Sequence, residues 1–98
     1  MPKNYARQVG MLSALNRAVF QHRVAQVGYK GVGQPRARRR RLQPQAVCLF
    51  HNSIYLLAAD ADEEQGPVKT YKLDRMTSVE LLDQRFAPRQ DFDPEAFF

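Results

Sequence analysis

Five arginines fall within six positions: Arg36, Arg38, Arg39, Arg40 and Arg41. Guanidinium groups grip phosphate oxygens in a planar, two-pronged geometry that lysine cannot match, so the run is a candidate phosphate-binding strip. On an extended strand, Arg38 and Arg40 project to one face and Arg39 and Arg41 to the other. A strand cannot bury guanidinium on both faces, and at least one face must be solvated. The plainer alternative is an edge strand whose charges discourage sheet-to-sheet pairing. The charge around this run is lopsided. Residues 1–59 carry ten Lys and Arg and no Asp or Glu, whereas residues 60–98 carry five basic and all ten acidic residues. The two parts are therefore +10 and −5, summing to the net +5. Such a field directs a polyanion to the N-terminal part.

Aromatic and polar residues accompany the arginines. Tyr29 and Tyr55 are candidate platforms for stacked bases, whereas Tyr71 is expected to fill the core. His51 and Ser53 flank a tight turn and could donate to phosphate oxygens, although such residues are commonly plain turn residues. Arg75 follows Tyr71 and Leu73 on what reads as one strand face, so it should be partly desolvated and need an anion, either Asp74, Glu80 or Asp83 or a ligand phosphate. Two distant histidines and one cysteine make no zinc spacing. The acidic segment Asp60–Glu64 lacks the offsets of a calcium loop. Gly28, Gly31 and Gly33 read as turn glycines, and no glycine-rich loop of a nucleotide-binding fold is present. No nucleophile, base and orienting group can be assembled, which argues against an enzyme and against a bound cofactor.

The elements that position these residues follow from periodicity. The first ten residues are polar and aperiodic and read as a tail, leaving 11–98 as a single domain. From Met11, apolar residues recur at spacings of three and four through Leu15, Ala18 and Val19, predicting an amphipathic helix of about three turns, with His22 at the edge of its stripe. Strands are predicted at Val24–Lys30, Arg36–Leu42, Ala46–Phe50, Ser53–Ala58, Val68–Met76 and Ser78–Leu82, with Pro44 ending a strand or marking a bulge. His51-Asn52 is a two-residue hairpin signal. The fold class is mainly β with one N-terminal helix, a small bent sheet or barrel. Ninety-eight residues suit one modest core. Cys48, in an apolar run, reads as a small buried hydrophobe. Nothing reads as a membrane span or a secretory leader, which fits a cytoplasmic protein.

Several pieces in fixed order resemble a WYL domain, named for a Trp-Tyr-Leu triplet. The helix runs into Val27-Gly28-Tyr29, and the basic strand leads to Arg40-Arg41-Leu42-Gln43-Pro44. The triplet position reads Ile54-Tyr55-Leu56, with Ile in place of Trp. Leu73-Asp74-Arg75-Met76 followed by Val79-Glu80-Leu81-Leu82 is the most specific marker, and Phe86 and Asp91-Phe92-Asp93 close the pattern. The resemblance implies a five-stranded SH3/Sm-like barrel preceded by a helix. It implies a ligand-sensing module of bacterial transcriptional regulators, normally placed behind a winged-helix DNA-binding domain and ahead of a C-terminal extension. Neither neighbour is in this sequence, which looks like an excised or stand-alone sensor. The implied ligand is single-stranded nucleic acid or a nucleotide, and Arg40, four residues before Pro44, stands where the family places a pocket arginine. The expected ligand-contacting set is Tyr29, Arg38, Arg40, His51, Ser53, Tyr55 and Arg75. The alternative is an Sm-like oligomerisation or protein-interaction module, a homodimer or larger, docking through Phe86, Phe92, Phe97 and Phe98. A further expectation is that the acidic tail folds over the basic groove of its own or a second copy.

Overall fold

Helix α1 spans Lys3–Gln21 in a computed structural model that describes residues 3–98. It begins about two turns before the stripe that starts at Met11, and residues 3–10 of the segment expected to be a tail form its opening turns, Met1 and Pro2 lying outside the described residues. Tyr5, Val9 and Leu12 extend the same spacing, and Gly10, on the exposed side with open space around it, does not interrupt it. No acidic residue lies in the first turn and no basic one in the last, so the macrodipole receives no help from side chains. The helix depends on packing, and Met11, Leu15 and Ala18 supply the buried face. It ends at His22, expected on the helix stripe, which instead adopts the left-handed conformation with φ 56° and turns the chain into the sheet.

Five antiparallel strands follow: β1 (Arg23–Tyr29), β2 (Arg38–Phe50), β3 (Ser53–Asp60), β4 (Val68–Lys72) and β5 (Met76–Arg85). Their order in the sheet is β4-β3-β2-β1-β5. The hairpin between β2 and β3 turns on His51 and Asn52, both left-handed with φ 48° and 63°, as a tight two-residue connection requires. The two strands expected on either side of Pro44 are one bent strand. Its first part pairs with β1 through Arg38–Leu42, its second with β3 from Leu42 to Phe50, and the register shifts between Pro44 and Ala46. That bulge lets a single strand serve two neighbours and curls the sheet.

The strand expected over Val68–Met76 is broken. Residues Leu73–Arg75 form a 3-10 turn, η1. The reason is topological: β4 lies beside β3 and β5 beside β1, at opposite edges of the sheet. A straight continuation could not reach the far edge, whereas one tight turn crosses the open end and closes a barrel. Gly28 is likewise no turn glycine. It sits within β1, where a Cβ would collide with Thr77 Oγ1 and lie 2.7 Å from Ser78 Oγ, so a side chain there fits only if both hydroxyls turn away.

The core lies between α1 and the inner face of the barrel. Ala25, Val27, Leu42, Leu56, Ala58, Tyr71, Leu73 and Met76 pack there against Met11, Leu15 and Ala18. Each fully buried leucine contributes roughly 2 kcal/mol by removal from water. The C-terminal segment crosses the outer face. There Arg89 donates its backbone N–H to Gln45 Oε1 at 3.1 Å, and Phe98 stacks on Phe50 with ring centres 4.2 Å apart.

Candidate functional site

Strand parity sorts the arginines as the alternation predicts. Arg38 is opposite Tyr29 and Arg40 opposite Val27, so these two face inward with the core residues, and Arg39 and Arg41 face outward. Arg41 is committed internally: it pairs with Asp62 and donates to Gln84, tying the β3–β4 loop to β5. No carboxylate pairs with Arg38, Arg39 or Arg40 among the described residues. Arg38 and Arg39 are exposed and Arg40 is half-buried. The Nε of Arg40 is wholly shielded from solvent and has no hydrogen-bond partner. A buried guanidinium donor without an acceptor is costly and uncommon.

Tyr29 organises the end of the barrel where Arg38 and Arg40 lie. Its ring meets Tyr71 edge to face, with centres 5.1 Å apart and planes at 84°. Its hydroxyl accepts the backbone N–H of Lys72 at 3.1 Å, a side-chain strut from β1 to the end of β4. Tyr71 is 6% exposed, as expected of a core residue. Burial pushes its hydroxyl above the usual tyrosine range; Arg40 pulls it down, while Asp60, Tyr29 and Glu63 add to the rise. Arg40 therefore lies within electrostatic reach of Tyr71, with Asp60 near the same group. Asp60 is on the inner face opposite Leu42, and its carboxylate is occupied in part by the Asp62 backbone N–H at 2.8 Å.

Arg75 reaches this end by a different route from the one the sequence suggests. It lies in η1 rather than on a strand face with Tyr71 and Leu73, because the chain must turn there to change edges. It is half-buried, and its carbonyl accepts the Lys30 N–H at 3.0 Å. No carboxylate pairs with it among the described residues; Asp74 accepts from Gln8 Nε2 at 2.9 Å instead. Tyr29 thus has Arg38 beside it on β2 and Met76, the residue after Arg75, beside it on β5.

His51, Ser53 and Tyr55 form a separate group at the β2–β3 hairpin. Tyr55 is paired with Cys48 and with Lys72, which places it on the outer face, opposite to Tyr29. Phe98 lies against it at 5.5 Å. His51 is exposed and set edge-on to Phe50. Cys48 is half-buried, and desolvation raises its thiol pKa. A cavity of about 350 Å³ beside this group is lined by Cys48, Leu49, Phe50, Pro94, Glu95 and Phe98, a largely apolar surface unlike a phosphate site. The seven expected residues therefore divide into an inner set (Tyr29, Arg38, Arg40, with Arg75 near it) and an outer set (His51, Ser53, Tyr55). Sequence reasoning missed Asp60 as a neighbour of the inner set. Its place at the end of an apolar strand, where the inner alternation of β3 continues, carried that signal. Among the described residues, the acidic tail's hydrogen bonds and ring contacts with the barrel are to Gln45, Gly66, Phe50 and Tyr55, and none is to an arginine of β2.

The family model for the WYL domain matches residues 10–81. The chain belongs to the WYL domain family. Among solved structures, the WYL domain resembles proteasome accessory factor B/C (PafBC) of Arthrobacter aurescens, with a TM-score of 0.73 at 20% identity. That likeness covers 88% of this chain but 14% of the other, so it speaks for the fold of one part of a much longer protein. No curated protein matches the sequence. Among the described residues of the WYL domain, no helix is long and apolar enough to cross a membrane. No cluster of three metal-ligating side chains occurs among them either.

Proposed function

We propose that this WYL domain is a regulatory sensor rather than an enzyme, and that it binds single-stranded nucleic acid or a nucleotide-like ligand at the inner, basic end of its barrel. Arg38, Arg40 and Arg75 engage phosphate oxygens, and Tyr29 presents a ring beside them. The outer set of His51, Ser53 and Tyr55 serves as a second contact for a ligand longer than one nucleotide. In a longer regulator, occupancy would bias the arrangement of a winged-helix DNA-binding domain. The observation that carries this reading is the buried Arg40 Nε without a partner, in a mouth whose arginines have no carboxylate pairs among the described residues. A phosphate oxygen would satisfy that donor with a charge-assisted hydrogen bond.

The test is a titration of a labelled oligothymidylate followed by fluorescence anisotropy across a range of NaCl concentrations. Three or four engaged phosphates on a single strand correspond to a slope of log K against log salt of roughly −2 to −3. Arg75→Ala should flatten that slope by about 0.7, one phosphate's share, with the far-UV spectrum unchanged. Absence of saturable binding at low salt rejects the nucleic-acid ligand. Self-association of the domain that persists at high salt would instead favour the interaction-module reading through its exposed apolar residues Leu49, Phe97 and Phe98.

A further inference from the structure

Folding returns the acidic β3–β4 loop to the basic strand, where Asp62 pairs with Arg41, but among the described residues no carboxylate pairs with Arg36, Arg38 or Arg39. The basic strip is the first part of β2 with the loop before it, where Arg36, Arg38 and Arg39 are all exposed. β3 does not reach this part: its pairing with β2 begins at Leu42. The Ala61 N–H bonds the Arg41 carbonyl at 2.8 Å, so the backbone groups of Arg41, and by alternation those of Arg39, point to that side. No hydrogen bond from the Arg39 backbone to that side is present among the described residues. An unpaired strand edge flanked by guanidinium groups repels a second basic strand and attracts acidic side chains.

The chain carries an acidic segment, with Asp91 in a turn and Glu95 in the short 3-10 helix Pro94–Ala96. Asp91, Asp93 and Glu95 are exposed, at alternate positions, and none forms an ion pair among the described residues. The segment itself is fastened elsewhere on its own copy. Arg89 is bonded to Gln45 and to the Gly66 carbonyl, and Phe98 is stacked on Phe50. Among the described residues these anchors hold the segment against Gln45, Gly66 and Phe50, and no ion pair joins it to the arginines of the same molecule.

We propose that the free edge of β2 at Arg38 and Arg39, with Arg36, is the docking site for the acidic C-terminal segment of a second copy of this chain. The contact is heterologous, a basic edge on one copy and acidic residues 91–95 on the other, and it forms without dislodging either segment from its own barrel. It shares Arg38 with the proposed nucleic-acid site, so a polyanion competes with it and drives the copies apart. Its existence does not depend on that site being correct.

The experiment uses the whole chain in sedimentation velocity at several concentrations. The wild type should self-associate in ~0.05 M NaCl and disperse at ~0.3 M, where the Debye length falls from about 14 to about 6 Å. Two variants separate the halves of the contact: Asp91→Asn/Asp93→Asn/Glu95→Gln, and Arg36→Gln/Arg38→Gln/Arg39→Gln. Asp93→Asn preserves the cap that Asp93 gives the Glu95 N–H. Each variant alone should be monomeric with an unchanged far-UV spectrum, and an equimolar mixture should recover a one-to-one complex, because each retains the half the other lacks. A monomeric wild type at low salt overturns the proposal, as does self-association that survives in either variant or in high salt. Failure of the mixture to associate, with both variants folded, also overturns it. The acidic variant keeps all its arginines, so its oligothymidylate titration reports on the nucleic-acid site independently of the self-contact.

Discussion

Arg40→Met should stabilise the domain and impair its ligand binding at once. The methionine retains an unbranched stem that can lie where the arginine methylenes lie, beside the fully buried Val27. It removes a donor nitrogen that is shielded from water and bonded to nothing. Leaving a buried polar group unsatisfied costs about 1–3 kcal/mol. Arg40 is only half-buried, with part of its guanidinium still reaching solvent, so the lower end applies and the expected gain is about 1 kcal/mol. For a domain of this size that corresponds to a rise of about 4–5 °C in Tm. Urea denaturation followed by far-UV circular dichroism measures it, tryptophan being absent from the chain; the midpoint should rise with an unchanged slope. Oligothymidylate affinity should fall by roughly ten- to a hundredfold, the worth of one charged hydrogen bond of about 1.5–3 kcal/mol. A variant destabilised by more than about 1 kcal/mol would show that Arg40 is a structural group satisfied in the folded protein. Unchanged affinity would remove it from the ligand site.

Three other perturbations probe the frame around that residue. Tyr29→Phe leaves the Lys72 N–H without its acceptor and should cost about 1 kcal/mol, read from the same urea curves; an unchanged midpoint would mean that the strut is not formed. Gly28→Ala forces a methyl group against Thr77 and Ser78 and should destabilise by about 1–3 kcal/mol, with partial recovery when Thr77→Ala removes one of the two obstructing hydroxyls. Burial raises the thiol pKa of Cys48, so the folded state favours the protonated form. The resulting stabilisation is complete below the unfolded-state pKa, about 8.5, and is lost as pH rises through the higher folded value. Alkylation at pH 8 should accordingly be slower in native protein than in urea, and equal rates would contradict that burial.

Legibility in the sequence differed from element to element for physical reasons. The His51-Asn52 hairpin was readable because two residues tolerant of positive φ stood between apolar runs, and both are left-handed. The barrel end at η1 was not, because Leu73-Asp74-Arg75 continues an alternation that local pattern alone assigns to a strand; only the order of strands in the sheet demands a turn there. The opening turns of α1 were hidden by Gly10, whose cost to a helix discourages extension, although Tyr5 and Val9 held the spacing. The faces of individual strands were legible: Arg38 and Arg40 do share one face, and Tyr55 does lie opposite to Ile54 and Leu56. What could not be read was which face of β1 matched which face of β3. The bulge between Pro44 and Ala46 inverts the alternation partway along β2, so Arg40 and Val47 share a side although their numbers differ by an odd count. Tyr29 and Tyr55, expected to flank one ligand, fall on opposite faces for that reason.

The same bend explains why an arginine can sit with its Nε buried on the inner face. β2 outruns β3 at one end, so inward-facing residues before Leu42 lie over the mouth of the barrel rather than beneath a neighbouring strand. An apolar residue at position 40 would extend the core toward that mouth, while a fully exposed arginine would retain its hydration and bind anions weakly. The position between these extremes, with Nε desolvated and the rest of the group partly open, strengthens any charge interaction by excluding water. It also leaves the empty domain less stable than it could be. Natural sequences depart from local consistency of this kind mainly where function requires it. If Arg40→Met gives a more stable domain that still binds oligothymidylate as tightly as the wild type, that link between the unmet hydrogen bond and the ligand fails.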